Sequence, residues 1–260
     1  MEKEKKAYVI AVANHKGGVA KTTTAASVGT VLAMSGKNVL LVDVDAQANL
    51  TSSLTDTEQY DSIEEAMKGE KPFPIIKIHE HLDLVPSSLN LALAEVQLSS
   101  AIARETILSR LLAPYRNSYD YIIIDCPPSL GLMTSNALTA ADGIIIPMSA
   151  EILPYRGLEG FYNFQRIIQA NLNPKLRILG ILMTRWENTK LSRMIFESLQ
   201  EQNGSLMFKT RIRKNVTVAE APLESKSLVL YAPNSNGAID YKSFTEELLA
   251  KLNIKQEDLL

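Results

Sequence analysis

An α/β fold is predicted, built as a mostly parallel, twisted sheet with helices on both faces. Three observations carry this. Short apolar runs of strand length alternate with helix-patterned stretches along most of the chain. Several runs are continuous in place of alternating, most clearly Ile122-Ile123-Ile124 and Ile144-Ile145-Ile146. Strands of that kind are buried on both faces, as in a parallel sheet covered by helices. A glycine-bearing loop then falls directly between the first strand and the first helix, where an open α/β sheet places a ligand.

In chain order, strands are expected at residues 8–13, 38–42, 82–85, 121–124, 143–147, 176–183 and 206–212. Helical patterns lie near 22–35, 101–115, 132–141, 158–170 and 189–202. Gly36 and Gly204 sit where helix-ending glycines belong. Ser62-Ile63-Glu64-Glu65 has the form of a capping box that opens a short helix. The 260 residues read as one domain, with a charged flexible tail at 1–6 and a C-terminal tail at 253–260.

Composition removes several classes of function. Hydrophobic residues make up 46%, enough for a large core, so disorder is excluded. The formal net charge of -2 means that any nucleic-acid binding must come from a local patch. The one cysteine, Cys126, excludes a disulfide framework and a Cys-rich metal or iron–sulfur site within one chain. It reads as a small buried apolar residue. The apolar run at residues 7–13 is too short to span a bilayer and lacks a cleavage site, so a cytoplasmic location is expected.

The loop itself is Lys16-Gly17-Gly18-Val19-Ala20-Lys21-Thr22-Thr23. A strand–loop–helix unit aims backbone N–H groups and the positive end of a helix at one spot. Gly17 and Gly18 let the backbone approach an anion closely. Lys21 can reach the β- and γ-phosphates of ATP, and the Thr22 hydroxyl can ligate magnesium. This is the site of a P-loop NTPase, with an unusual loop. His15 and Ala20 stand where the ordinary pattern has glycines, and Lys16 adds a second cation where charge builds in phosphoryl transfer. Ala20 should be tolerated if its φ is negative.

Two further segments carry carboxylates to the same edge. Asp43 and Asp45 close the second strand. One carboxylate there can bind magnesium through water and another can orient the attacking water. Asp125 ends the apolar run from Tyr121, as the Walker B residue does, and Pro127-Pro128 follows as a rigid turn.

Together these segments resemble the ParA family of deviant-Walker partition ATPases, relatives of MinD. The resemblance rests on residues 16–24, 41–51, 124–131 and Ala219-Glu220-Ala221-Pro222, and covers nearly the whole chain. It implies ATP and Mg²⁺ as cofactors and an ATP-dependent sandwich homodimer. Lys16 is then the signature lysine reaching the partner's nucleotide, Asp45 the water-activating residue and Asp125 the Walker B residue. Residues 125–131, with Pro128 among the nucleotide contacts, become a switch reporting the γ-phosphate. The resemblance further implies non-specific double-stranded DNA binding, a ParB-like partner that stimulates hydrolysis, and a nucleoid-associated location. Two departures are noted: Ala46 stands where proline is frequent, and no N-terminal helix-turn-helix segment precedes the first strand.

A basic surface is legible independently. Residues 171–230 have a balance of +5, against -7 for the rest. Lys209, Arg211 and Arg213 alternate, so a strand would point all three to one face, with Lys214 next to them. Lys190 and Arg193 share a helix face. These six are the candidate DNA contacts. Arg213-Lys214-Asn215 occupies the place where ParA relatives carry a DNA-contacting arginine, while Asn188 replaces an arginine of some relatives, with Arg185 or Lys190 as substitutes. The competing reading is a solvated edge strand guarded by charge. Base-selecting residues are expected in the loops after Met183 and Ile212, with Glu220-Ala221-Pro222 shaping the pocket. A MinD-like membrane ATPase is disfavoured by the mixed charges of the 241–260 tail, which carries Phe244, Leu248, Leu249 and Leu252. The same motifs also fit an amide-forming ligase, or a ParA-like ATPase that positions a protein cargo.

Overall fold

The computed structural model describes residues 6–56, 60–150 and 154–257. Its strands are β1 (Tyr8–Val12), β2 (Val39–Asp43), β3 (Ile76–His79), β4 (Leu82–Val85), β5 (Tyr121–Asp125), β6 (Gly143–Ser149), β7 (Arg177–Trp186) and β8 (Met207–Arg213). They form one sheet in the order β3-β4-β2-β5-β1-β6-β7-β8. Every pairing is parallel except β3 with β4. The helices are α1 (Lys21–Met34), α2 (Asn49–Leu54), α3 (Ile63–Lys68), α4 (Asn90–Leu98), α5 (Ile107–Leu112) and α6 (Leu132–Ala140). They continue as α7 (Pro154–Asn171), α8 (Lys190–Asn203), α9 (Thr217–Glu220), α10 (Leu228–Tyr231) and α11 (Asn236–Glu257).

The continuous apolar runs mean what their composition implied. Ile122 and Ile124 face one core, with Ala137, Phe161 and Phe196 from α6, α7 and α8. Ile123 faces the other, with Val28, Phe244 and Leu248 from α1 and α11. Apart from Tyr121 at its start, every residue of β2, β5 and β6 is buried, so a polar side chain there needs a partner. Cys126 is buried, as its composition reading required.

Four expectations are corrected. The helix expected over 101–115 shortens to α5, flanked by 3₁₀ turns at Arg104–Thr106 and Ala113–Tyr115. Ala103 is left-handed before it (φ 54°) and Pro114 lies at the far end. The capping box does not form: the Ser62 hydroxyl donates to Glu64 Oε1 at 2.6 Å, and makes no cap to the helix backbone. The edge strand β3 is additional; its alternating half-exposed pattern is weak in four residues. The tail expected at 253–260 is helical through Glu257, because α11 docks Tyr241, Phe244, Leu248 and Leu252 into the core. Residues 1–5 of the expected N-terminal tail lie outside the described residues. Gly36 (φ 77°) and Gly204 (φ 49°) end their helices as expected.

Candidate functional site

The glycine-bearing loop leaves β1, at the middle of the sheet, and enters α1. Gly18 is left-handed at φ 73°, and so is Ala20, at φ 64° and ψ 36°. Negative φ at Ala20 is therefore overturned. An alanine there costs about 1–2 kcal/mol of backbone strain, so the surroundings must hold the turn in place. They do so through three successive carbonyls. Gly18 O accepts from Arg185 Nη1 at 3.3 Å, Val19 O from Thr184 Oγ1 at 3.0 Å, and Ala20 O from the Thr24 hydroxyl at 2.7 Å. His15, in a glycine's place, fits because Gly157 of α7 leaves room: a Cβ there would sit 2.3 Å from the imidazole.

Gly17, Gly18, Ala20, Lys21, Thr22 and Thr23 line a cavity of about 600 Å³. That is large enough for a nucleotide-sized ligand. The Lys21 ammonium is mostly buried and donates to its own loop, at Lys16 O, 3.1 Å away. Burial lowers its pKa, while Asp125, Cys126 and Asp45 pull it back up. Lys16 does not line this cavity. With Val19 it borders a small neighbouring pocket beside Asn14, Ser149 and Gly157.

Three carboxylates meet behind the loop, and each has a different environment. Asp43 and Asp125 are register partners at the ends of β2 and β5, and Asp125 is level with Val12 of β1. Asp43 is fully occupied: it accepts from Thr51 N (2.9 Å), Thr51 Oγ1 (2.8 Å) and Asp45 N (3.1 Å). Burial pushes its carboxyl up to about 6 against those hydrogen bonds. Its work is to tie α2 to the sheet. Asp45 lines the cavity, with Oδ1 accepting from Gln47 N at 3.0 Å. Asp125 lies just behind the cavity wall. Both its oxygens are buried and neither accepts a hydrogen bond of good geometry, although the Thr22 hydroxyl, set to donate to it, and Lys21 moderate its charge. Burial first, and Asp43 second, raise its pKa well above the carboxylate range.

A buried carboxylate so poorly satisfied by its own protein fits a cation. Among the described residues, no three His, Cys, Asp or Glu side chains are grouped to hold a metal alone. Magnesium suits that arrangement, since it takes one or two carboxylates and completes its shell with water and phosphate oxygens. Asp125, Asp45 and the Thr22 hydroxyl fit it.

The far wall comes from distant segments: Thr184 and Arg185; Ile212 to Asn215; Val218, Ala221 and Pro222; and Tyr241. The residues that follow Met183 and Ile212, which begin as strand in β7 and β8 where loops were expected, thus line the cavity, and so does Pro128. Ser27, Asn49, Ser52 and Ser53 were not legible as wall residues. Thr23 and Ser27 share a helix face at i, i+4, which is the only local signal they carry.

The basic residues do not form one solvated row, which corrects the strand-alternation expectation. Arg211 turns toward α8, where its guanidinium lies 4.6 Å from the Trp186 ring and 3.9 Å from the Phe196 ring. Arg213, at the strand end, turns to α11, giving Asp240 its backbone N–H (2.9 Å), Nε (2.9 Å) and Nη2 (2.7 Å). Lys214 pairs with Glu187 at 2.5 Å. Lys209, Lys190 and Arg193 are exposed. Arg213 also lines the cavity, so charge reversal there acts twice. Arg213→Glu is expected to lower apoprotein stability by about 1–2 kcal/mol, discounted for guanidinium exposure, and to shrink the thermal shift produced by MgATP. Melting curves with and without MgATP check this; an unchanged apoprotein melting point would show the pair to be slack.

A phosphate-sized loop at the C-terminal edge of a parallel sheet, backed by an unsatisfied acid, defines the P-loop nucleoside triphosphatases. The family described as an AAA domain matches residues 7–178. The sporulation initiation inhibitor protein Soj of Bacillus subtilis is 43% identical over 93% of this chain and 98% of its own length. The chromosome partitioning protein ParA of Caulobacter vibrioides is 33% identical over 95% and 96%. Among solved structures, cobyrinic acid a,c-diamide synthase from Mycobacterium smegmatis, with bound ATP analogue and magnesium, matches with TM-score 0.84 at 36% identity, covering 95% of this chain and 96% of that one. A plasmid partition protein from Borrelia burgdorferi matches with TM-score 0.73 at 29% identity, over 96% and 100%. The chain belongs to the ParA family of partition ATPases, and its cofactors are ATP and Mg²⁺.

Proposed function

We propose that this chain is the ATP-driven switch of a DNA-segregation system, working as a homodimer on double-stranded DNA with a ParB-like partner. The observation that carries the reading is the buried Asp125 carboxylate, poorly satisfied by the protein itself, beside the phosphate loop. Lys21 releases the Lys16 carbonyl and takes the β- and γ-phosphates. Backbone amides at the start of α1 would hold the same oxygens. Thr22, Asp125 and Asp45 would hold magnesium, which when bound would neutralise the charge that develops on the transferred phosphoryl group. Asp45, in the cavity wall, orients the attacking water, and Lys16 serves the nucleotide of the second copy. Residues 125–131 carry the γ-phosphate signal outward.

The DNA surface draws on the +5 skew of residues 171–230 and on exposed Lys190, Arg193 and Lys209, with Arg211, Arg213 and Lys214 available to the extent that their present partners release them. Such binding is blind to sequence and weakens steeply with salt. The reading places the protein in the cytoplasm on the nucleoid. No helix among the described residues is long and apolar enough to cross a membrane, and the apolar face of α11 is spent in the core, where a MinD-like anchor would offer it to lipid. A protein cargo carried on the nucleoid is the alternative within the same mechanism.

Asp45→Ala is expected to slow turnover at least about 10²-fold, the usual scale of a positioned acid–base group, while ATP-dependent DNA retention persists. Phosphate release and a DNA mobility assay at two salt concentrations check this; turnover at the parent rate would remove Asp45 from the water. The Mycobacterium smegmatis relative is named for amide synthesis, which keeps the ligase reading alive. Phosphate release that requires an added small-molecule acid and ammonia donor, and not DNA, would select it.

A further inference from the structure

The cavity does not stop at the phosphate loop. It runs on along α1 to a second end walled by Ala26, Ser27, Ala221, Leu228 and Tyr241. Ser27 lies five residues beyond Thr22, and thus about 7–8 Å farther along the helix axis. The end is mostly apolar, yet it contains two hydroxyls that the fold leaves unused. Ser27 Oγ on α1 and Ser227 Oγ before α10 are both buried with no hydrogen-bond partner. Ser27 is fully buried and Ser227 is 2% exposed.

Neither hydroxyl performs the duty its position usually gives it. Ser27 does not bond back to a carbonyl of its own helix, as Thr24 and Thr30 do. Ser227 occupies the N-cap position of α10 but makes no side-chain cap. The third hydroxyl at this end, Tyr241 OH, is already engaged with Thr24 Oγ1 at 3.0 Å. A buried hydroxyl without a partner costs about 1–3 kcal/mol, so two lining one cavity amount to a penalty that a ligand relieves.

We propose that Ser27 and Ser227 are the hydrogen-bonding contacts for the nucleoside end of ATP, and so determine affinity and selectivity for the nucleotide. The phosphate end is fixed by the loop at residues 17–23, and the apolar walls suit the flat face of a base. The two hydroxyls supply the directional contacts that an apolar slot lacks. This rests on the cavity being the nucleotide site.

The test is calorimetric titration of MgATP into the full chain, for the parent, Ser27→Ala, Ser227→Ala, the double variant and Lys21→Ala. Each serine change is expected to weaken binding about 3- to 10-fold, one ordinary hydrogen bond, and the pair about 10- to 50-fold. The apoprotein melting point should stay level or rise in the serine variants, because only an unsatisfied group is removed. A structural role would lower it instead, and a fall of several degrees in either single variant overturns the assignment. So do affinities within twofold of the parent while Lys21→Ala fails to bind. If Lys21→Ala binds as the parent does, the cavity reading itself fails. Inosine triphosphate and 2′-deoxyATP, titrated alongside, separate the base from the sugar as the group the serines hold.

Discussion

Lys16→Ala is expected to retain MgATP binding within a few-fold of the parent, to lose ATP-dependent dimers, and to lose hydrolysis by roughly 10³-fold. That loss is the low end of what a cation supplied from a neighbouring subunit contributes to phosphoryl transfer. The geometry sets the split between binding and turnover. Lys16 borders the small pocket beside Asn14, Ser149 and Gly157, while Lys21 belongs to the large cavity. Its backbone carbonyl accepts from Lys21. An alanine keeps that carbonyl. Size-exclusion chromatography with and without ATP, beside phosphate release, checks both halves. Intact ATP-dependent dimers would end the trans role.

Asp125→Asn is expected to produce opposite signs in two measurements. Hydrolysis should fall by at least about 10²-fold, since a group holding the magnesium shell is neutralised. The apoprotein should become more stable by about 1–3 kcal/mol, because the cost of burying an acid whose pKa is raised well above its usual value is removed. For a chain of this size that is about 2–4 °C of melting temperature per kcal/mol. Stability and activity trade against each other at sites that hold an unpaired charge in readiness for a ligand. An unchanged or lower apoprotein melting point would show that Asp125 is satisfied in ways its two orphaned oxygens do not indicate.

The sheet was legible because its signal is local and redundant. Triple-isoleucine strands state their burial on both faces without any knowledge of partners, and seven strands were placed within a residue or three. The antiparallel edge β3 escaped because its four residues alternate with the exposed Lys77 and His79, as many loops do. The phosphate loop was legible because glycines, lysines and threonines have to stand in one short run. Its conformation was not: the left-handed turn at Ala20 is imposed by Thr24, Thr184 and Arg185, two of them more than 160 residues away. The basic row failed for the same reason. Strand alternation assigns a face, but the side chain at a strand end follows the strongest partner available, and Asp240 and the Trp186–Phe196 pair lie on opposite sides of the sheet.

Helix α11 grips the cavity from both sides with consecutive residues, Asp240 on Arg213 and Tyr241 on Thr24. Thr24 and Tyr241 are separated by 217 positions. Contacts so far apart are costly to close and tend to form late in folding. The residues 7–178 that match the family contain the whole phosphate loop, Asp45 and Asp125, yet none of the far wall. During synthesis the loop therefore emerges from the ribosome long before the helix that completes its cavity. The cavity as a whole is thus a property of the finished chain.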